Sequence, residues 1–227
     1  MNWHVLLFIL TMIVSKSIPL NAWVVLFAYR FVLKMQLYRL RSRNMKPVRL
    51  IIVAVGGQGN LLASRILGEA AMAANIPVGM SEIHGMAQRG GVVESALIFG
   101  NARSTIISDF EADILIGFEP SETLRALKKC NKHASVITNM NPLPPFTVNI
   151  GKGEYPDLEL TQNLIQRKIK RLYCLNATDL ACQAGNILSV NVVLLGALTA
   201  TGLIPLSETQ MRDAVRKTVK KHLLMLI

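Results

Sequence analysis

Two glycine-rich patches hold the residues best suited to chemistry. The first, Gly56-Gly57-Gln58-Gly59, follows the apolar residues 50–54 and precedes a helix-forming run over residues 61–71. A strand, a glycine turn and a helix start in this order aim backbone N–H groups at an anion. The first N–H groups of a helix have no partner within it, and its dipole favours negative charge there. The spacing is GGxG rather than GxGxxG. Glu82 lies near where a ribose-binding acid could sit, so the dinucleotide fingerprint is matched only in part. A tight turn packed on neighbouring strands or on a partner subunit accounts for the same glycines.

The second patch is His84-Gly85-Met86-Ala87-Gln88-Arg89-Gly90-Gly91. His84 and Gln88 are four apart and share a side if this stretch makes a helical turn. Arg89, beside two glycines, offers a guanidinium next to free backbone, a grip for a phosphate or a carboxylate. His84 is the weak candidate for a catalyst; its alternative is a hydrogen-bonded structural group. Glu119 and Asn139 each follow an apolar strand, the position where α/β ligand sites form. Their alternatives are a charge complementing a helix dipole and a turn residue. Asn191 opens an apolar helix and reads as a cap. The candidate cofactor-binding set is therefore Gly56, Gly57, Gln58, Gly59, Gln88, Arg89, Gly90, Gly91, Glu119 and Asn139. No Ser–His–Asp or Cys–His arrangement is evident, nor a carboxylate pair placed for acid–base work. Cys130, Cys174 and Cys182 lack CxxC or zinc spacing, and no run suits an iron–sulfur cluster. No metal site is expected, and the cysteines read as buried, reduced thiols of a cytoplasmic protein.

The elements that must position these residues alternate from residue 48 onward. Strands are expected at 48–55, 77–81, 92–99, 114–118, 135–138, 147–150 and 172–175. Helices are expected at 60–75, from 119–121 through 129, and at 158–170, 177–184, 190–201 and 207–221. Ser121 is the expected cap of the second helix, and Ser207 with Gln210 has capping-box spacing. The fold class is α/β: a single-domain, three-layer-like arrangement with a mixed or mostly parallel sheet, opening on a strand–GGQG–helix unit.

Hydrophobic residues make up 51% of the 227 and charged residues 17%, which allows a large core. The net charge of +11 is unevenly spread, since residues 1–44 hold six basic side chains and no acidic one. The basic pI is thus weak support for nucleic-acid binding, and no nucleic-acid motif accompanies it. Residues 1–44 form an apolar and basic extension. It reads as a false start upstream of translation from Met45, or else as a membrane anchor. Neither of its apolar runs reaches the roughly 20 residues a spanning helix needs. Residues 45–227 form the domain that carries both glycine patches.

Five blocks in order then carry a resemblance. They are GGQGN at residues 56–60, SEIHGMAQRGG at 81–91, ADILIGFEPSETLRAL at 112–127, NMNPLPPFTVNIGKGEYP at 139–156 and NVVLLGALTATGLIPLS at 191–207. Over residues 45–221 the chain resembles the gamma-type domain of the 2-oxoacid:ferredoxin oxidoreductases, in particular the beta subunits of indolepyruvate ferredoxin oxidoreductases. The resemblance implies oxidative decarboxylation of aryl pyruvates to acyl-CoA, with electrons passed to ferredoxin. It implies an alpha subunit carrying thiamine diphosphate and the iron–sulfur clusters, no cofactor bound by this chain alone, and coenzyme A as co-substrate. The family pattern extends past the last residues here, which suggests a truncated C-terminus. The competing readings are a stand-alone dehydrogenase-like nucleotide-binding protein and a membrane-anchored assembly protein. A membrane partner is implied only if residues 1–44 are translated.

Overall fold

The computed structural model describes residues 45–85, 91–144, 148 and 150–224. The expectations for residues 1–44 lie outside the described residues. The strands are β1 (Val48–Val55), β2 (Val78–His84), β3 (Val92–Phe99), β4 (Ala112–Gly117), β5 (Cys130–Asn139) and β6 (Arg171–Leu175). The helices are α1 (Asn60–Ala73), α2 (Pro120–Ala126), α3 (Leu158–Lys168), α4 (Ala177–Gln183), α5 (Val190–Ala200) and α6 (Glu208–Leu224).

The six strands form one mixed sheet in the order β2-β3-β1-β4-β5-β6. β1 pairs in parallel with β4, β4 with β5 and β5 with β6, while β3 runs antiparallel to both β1 and β2. The near-continuous apolar run of β1 is explained by burial on both faces. Leu50, Ile52 and Ala54 join Ile66, Leu67, Phe99, Leu194 and Leu198 on one side; Ile51 and Val53 join Leu115, Val136, Ile165 and Ile169 on the other. The first side is covered by α1, α5 and α6 and the second by α2 and α3, which completes three layers. Ile66 and Leu67 of α1 are fully buried, and each contributes roughly 1.5–3 kcal/mol by leaving water.

Chain direction around β1 and β4 sets the site. From β1 the chain passes through α1 to β2 and β3 on one flank of the sheet. From β4 it passes through α2 to β5 and β6 on the other. α1 and α2 lie on opposite faces, so the carboxyl ends of β1 and β4 flank a topological switch point, where open α/β sheets form ligand crevices.

Several expected elements are redrawn. β2 extends to His84, because antiparallel pairing with β3 continues to the His84–Val93 pair. β5 begins at Cys130 rather than residue 135, and its pairing with β4 shifts register between Ala112 and Ile114. The strand expected at 147–150 is not found at its described positions: Val148 is helical and Ile150 lies in a turn. The helix expected at 190–201 is α5, which turns Asn191, Leu194, Leu195 and Leu198 fully inward. Ser207 and Gln210 do form the capping box: Ser207 N donates to Gln210 Oε1 at 2.8 Å and Gln210 N to Ser207 Oγ at 3.3 Å. Of the cysteines only Cys130 is buried; Cys174 and Cys182 lie at the surface, and all three are free thiols. Burial pushes the Cys130 thiol up to about 12.

Candidate functional site

The glycine turn after β1 brings the two patches together. Gly56 N donates to Gly91 O at 2.8 Å, and Gln58 N closes the turn on Val55 O at 3.2 Å. Gly57 and Gly59 have φ of 98° and 85°, a left-handed conformation that costs a side chain about 1–2 kcal/mol. Nothing lies within 4 Å of where a Cβ at Gly57 would stand, so its requirement is conformational and not one of close approach. Gly59 meets both requirements. A Cβ there would lie 2.9 Å from Asn191 Nδ2. Gln58 is turned inward: its Oε1 accepts from Val55 N at 2.8 Å and its Nε2 donates to Phe118 O at 3.4 Å. It ties the end of β1 to the end of β4.

A cavity of about 910 Å³ opens over this turn. Its walls are Gly56 to Leu62, Arg65, His84 and Asn139, and the segment from Ile187 to Asn191 closes it. No Asp or Glu is among the lining residues described. Gly59 caps α1 with no side-chain hydrogen bond, and Ser189 caps α5 likewise. Two helix N-termini therefore face one space: α1 has no side-chain cap, while in the first turn of α5 Val192 N donates to Asn191 Oδ1 at 2.8 Å. The rim is apolar, with Leu61, Leu143, Ile187 and Leu188 all exposed. The arrangement suits a ligand with an anionic group and a substantial apolar or planar part.

The candidate residues divide. Gly56, Gly57, Gln58, Gly59, His84 and Asn139 line the cavity, and Gly91 backs the turn. Asn139 lines it as architecture. Its Nδ2 donates to Phe118 O and Thr178 Oγ1, both at 3.2 Å, and its Oδ1 accepts from Ala177 N at 2.9 Å and Asn141 N at 3.4 Å. His84 Nε2 lies 3.7 Å from Glu82 Oε2, which gives it one carboxylate neighbour at the edge of the sheet. Gln88, Arg89 and Gly90 lie outside the described residues.

Glu119 does not join the cavity. It is 1% exposed and caps α2 itself, its Oε2 accepting from Glu122 N at 2.9 Å. Tyr155 OH donates to Glu119 Oε1. Both carboxylate oxygens are thus occupied, and the cap is Glu119 rather than Ser121. Burial, with the Glu119 hydrogen bond next, pushes the Tyr155 phenol up to about 12, so it stays a donor at neutral pH.

Asn60, Arg65, Thr178 and the lip of Ile187 and Leu188 belong to the cavity wall but were not among the sequence candidates. Asn60 had a signal, since it directly follows the glycine turn. It is 4% exposed and its Nδ2 donates to Val93 O at 3.0 Å. Arg65 is one turn further along α1, where sequence shows only an ordinary surface arginine. Ile187 and Leu188 come from a 3-10 turn between α4 and α5 that no periodicity marks. Among the described residues, no three His, Cys, Asp or Glu side chains gather to hold a metal ion.

An α/β domain with a glycine-turn cavity at the switch point defines the class, and comparison with known proteins narrows it. Residues 49–226 match the family described as pyruvate ferredoxin/flavodoxin oxidoreductase, and the chain belongs to that family. The chain is 40% identical over 173 residues to indolepyruvate oxidoreductase subunit IorB of Methanothermobacter thermautotrophicus, covering 76% of this chain and 88% of the relative. Among solved structures, its fold is similar to the keto/oxoacid ferredoxin oxidoreductase gamma subunit of Geobacter sulfurreducens, with a TM-score of 0.52, 20% identity and coverage of 74% and 84%. It is also similar to part of the 2-oxoglutarate:ferredoxin oxidoreductase of Magnetococcus marinus, solved with 2-oxoglutarate, coenzyme A and succinyl-CoA bound. There the TM-score is 0.58 and the identity 17%, over 79% of this chain and 28% of that one.

Proposed function

We propose that the chain is the beta subunit of an indolepyruvate ferredoxin oxidoreductase. With an alpha subunit it oxidatively decarboxylates aryl pyruvates to acyl-CoA and passes the electrons to ferredoxin. The observation that carries this is the 40% identity to an indolepyruvate oxidoreductase subunit over 88% of that relative's length. Thiamine diphosphate supplies the carbanion chemistry and iron–sulfur clusters take the electrons, and both belong to the alpha subunit. The donor set here does not fit a cluster: one cysteine is buried in the core and the other two lie on β6 and α4.

This chain's part is to complete the complex and to hold coenzyme A in the cavity over Gly56–Gly59. The cavity's size, the lack of Asp and Glu among its described lining residues and the α1 N-terminus without a side-chain cap support that role. Arg89 meets an anion, either a coenzyme A phosphate or a carboxylate of the alpha subunit. Arg89→Ala is then expected to cost about tenfold in the corresponding affinity, and Arg89→Lys not to restore it fully. Translation begins at Met45, in accord with the compact unit over Met45–Ile227; an N-terminal peptide starting at Met45 or Lys46 is the expected mass-spectrometric result. The location is cytoplasmic, which the three free thiols support; no helix among the described residues is long and apolar enough to cross a membrane.

The test is reconstitution. The chain is expected to be inactive alone and to give indolepyruvate- and coenzyme A-dependent ferredoxin reduction when combined with a thiamine-binding, cysteine-rich alpha subunit. Turnover of indolepyruvate by the isolated chain would defeat the proposal.

A further inference from the structure

We propose that the loop from Ser104 to Glu111 is a preformed docking element, with Phe110 as its anchor, for an apolar, basic-rimmed pocket of the alpha subunit. This rests on the reading of the chain as a subunit, and it says which face meets the partner. Phe110 is 73% exposed and Ile106 70%, while Ile107, between them in sequence, is buried and joins the core cluster of Ile98 and Leu115. Phe110 also has a φ of 65°. It stands third in the turn Ser108–Glu111, which Glu111 N closes by donating to Ser108 O at 3.3 Å. A positive φ at that place is ordinarily taken by glycine or asparagine, because a bulky side chain strains the backbone there. A strained aromatic left in water gains the fold little by burial. A surface that covers it in the complex accounts for both features.

Local bonds hold the loop in this form. Phe110 N donates to Lys128 O at 3.0 Å, and Ser108 N donates to Glu111 Oε2 at 3.0 Å. Ile106 N donates to Ser104 Oγ at 3.1 Å. Lys129 Nζ donates to Ile107 O at 3.1 Å and lies 3.7 Å from Asp109 Oδ1. A side chain presented on backbone fixed in advance loses little freedom on binding, which is what makes a rigid aromatic an effective anchor. The charges choose the occupant. Asp109 and Glu111 bracket Phe110. Lys129 answers Asp109, while no cation lies within salt-bridge reach of Glu111 among the described residues. Two copies meeting through Phe110 would set these carboxylates against their own kind, so the occupant is a different chain with a basic group at the rim of its pocket. The loop leads into the amino end of β4, whereas the cavity over Gly56–Gly59 lies at the carboxyl ends of the parallel strands. Docking here leaves that cavity free.

The test is the affinity of the full chain for the alpha subunit at low and high salt, measured beside the melting temperature of the chain alone. Phe110→Asn suits the positive φ, so it should leave the melting temperature unchanged or raised while weakening assembly roughly tenfold or more. Ile106→Ser should weaken assembly several-fold. Glu111→Gln keeps an oxygen for Ser108 N, and it should weaken assembly several-fold with a smaller salt dependence. With the alpha subunit in excess, the KM for coenzyme A should not move in any of the three. Unaltered assembly in Phe110→Asn, or weakened assembly accompanied by a fall in its melting temperature, overturns the docking element. Self-association of the unsubstituted chain that Phe110→Asn abolishes gives the loop to a second copy and overturns the alpha-subunit assignment. No binding of the alpha subunit by the unsubstituted chain overturns the subunit reading itself, and this proposal with it.

Discussion

β1 and β4 lie side by side in parallel, and each ends in a tight turn that starts a helix, yet the two corners are opposites. After β1 the turn is Gly56–Gly59, and α1 begins with no side chain at its N-terminus. After β4 the turn carries Glu119, whose carboxylate caps α2 and is in turn held by Tyr155. The second corner contains its own anion and is closed. The first lacks one and opens on a cavity of about 910 Å³. Position at the end of a parallel strand is therefore not enough to make a ligand site. The helix must also be left without an internal acceptor.

Substitutions can break each corner separately. The largest effect is expected from Gly59→Val, which places a β-branched residue at φ 85° and drives its Cβ against Asn191 Nδ2. The strain alone is on the order of 1–3 kcal/mol, and the clash adds to it. Thermal denaturation should show a fall of several degrees together with lost coenzyme A dependence.

At the closed corner, Glu119→Ala removes the α2 cap and leaves the Tyr155 hydroxyl without its acceptor. About 2–4 kcal/mol should be lost in a denaturant titration, with the KM for coenzyme A unchanged. Gly57→Ala is expected to cost only about 1–2 kcal/mol, because its φ of 98° is strained while its surroundings are open. A loss as large as that of Gly59→Val would show that close approach matters there too.

The smallest effect concerns Glu122, beside the closed corner. Burial raises its carboxyl above the ordinary 4.5, opposed by Arg125 and aided by Glu119, and its Oε2 accepts no hydrogen bond among the described residues. A carboxyl raised on folding destabilises the protein once it ionises. The penalty is absent below the ordinary value and complete above the raised one. Glu122→Gln should therefore be slightly more stable than the parent at neutral pH, and the gain should vanish below about pH 4 in a series of melting curves.

The legible parts of the molecule were those set by local pattern. β1 and β3 match the sequence reading residue for residue, because each pairs a dense apolar run with glycine at its end. α1 was equally plain from the glycine turn that starts it. The extension of β2 to His84 was hidden, since Glu82 and His84 look polar, and it is pairing with β3 that makes them strand. Glu119 was legible as a residue near a helix start but not as a cap, because its closure depends on Tyr155, 36 residues away. Asn191 read as the cap of α5, but the cap is Ser189; Asn191 lies inside the first turn, accepts from Val192 N and packs its amide against Gly59, a contact 132 residues away in sequence that no local pattern marks.

The contrast between the corners is tested most directly by the KM for coenzyme A in the reconstituted complex, measured with Gly59→Ala beside Glu119→Gln. The open corner should respond and the closed one should not: KM raised roughly tenfold or more by Gly59→Ala and unaltered by Glu119→Gln. An unaltered KM in Gly59→Ala, or a raised KM in Glu119→Gln alone, would contradict the assignment of the coenzyme A site to the glycine turn.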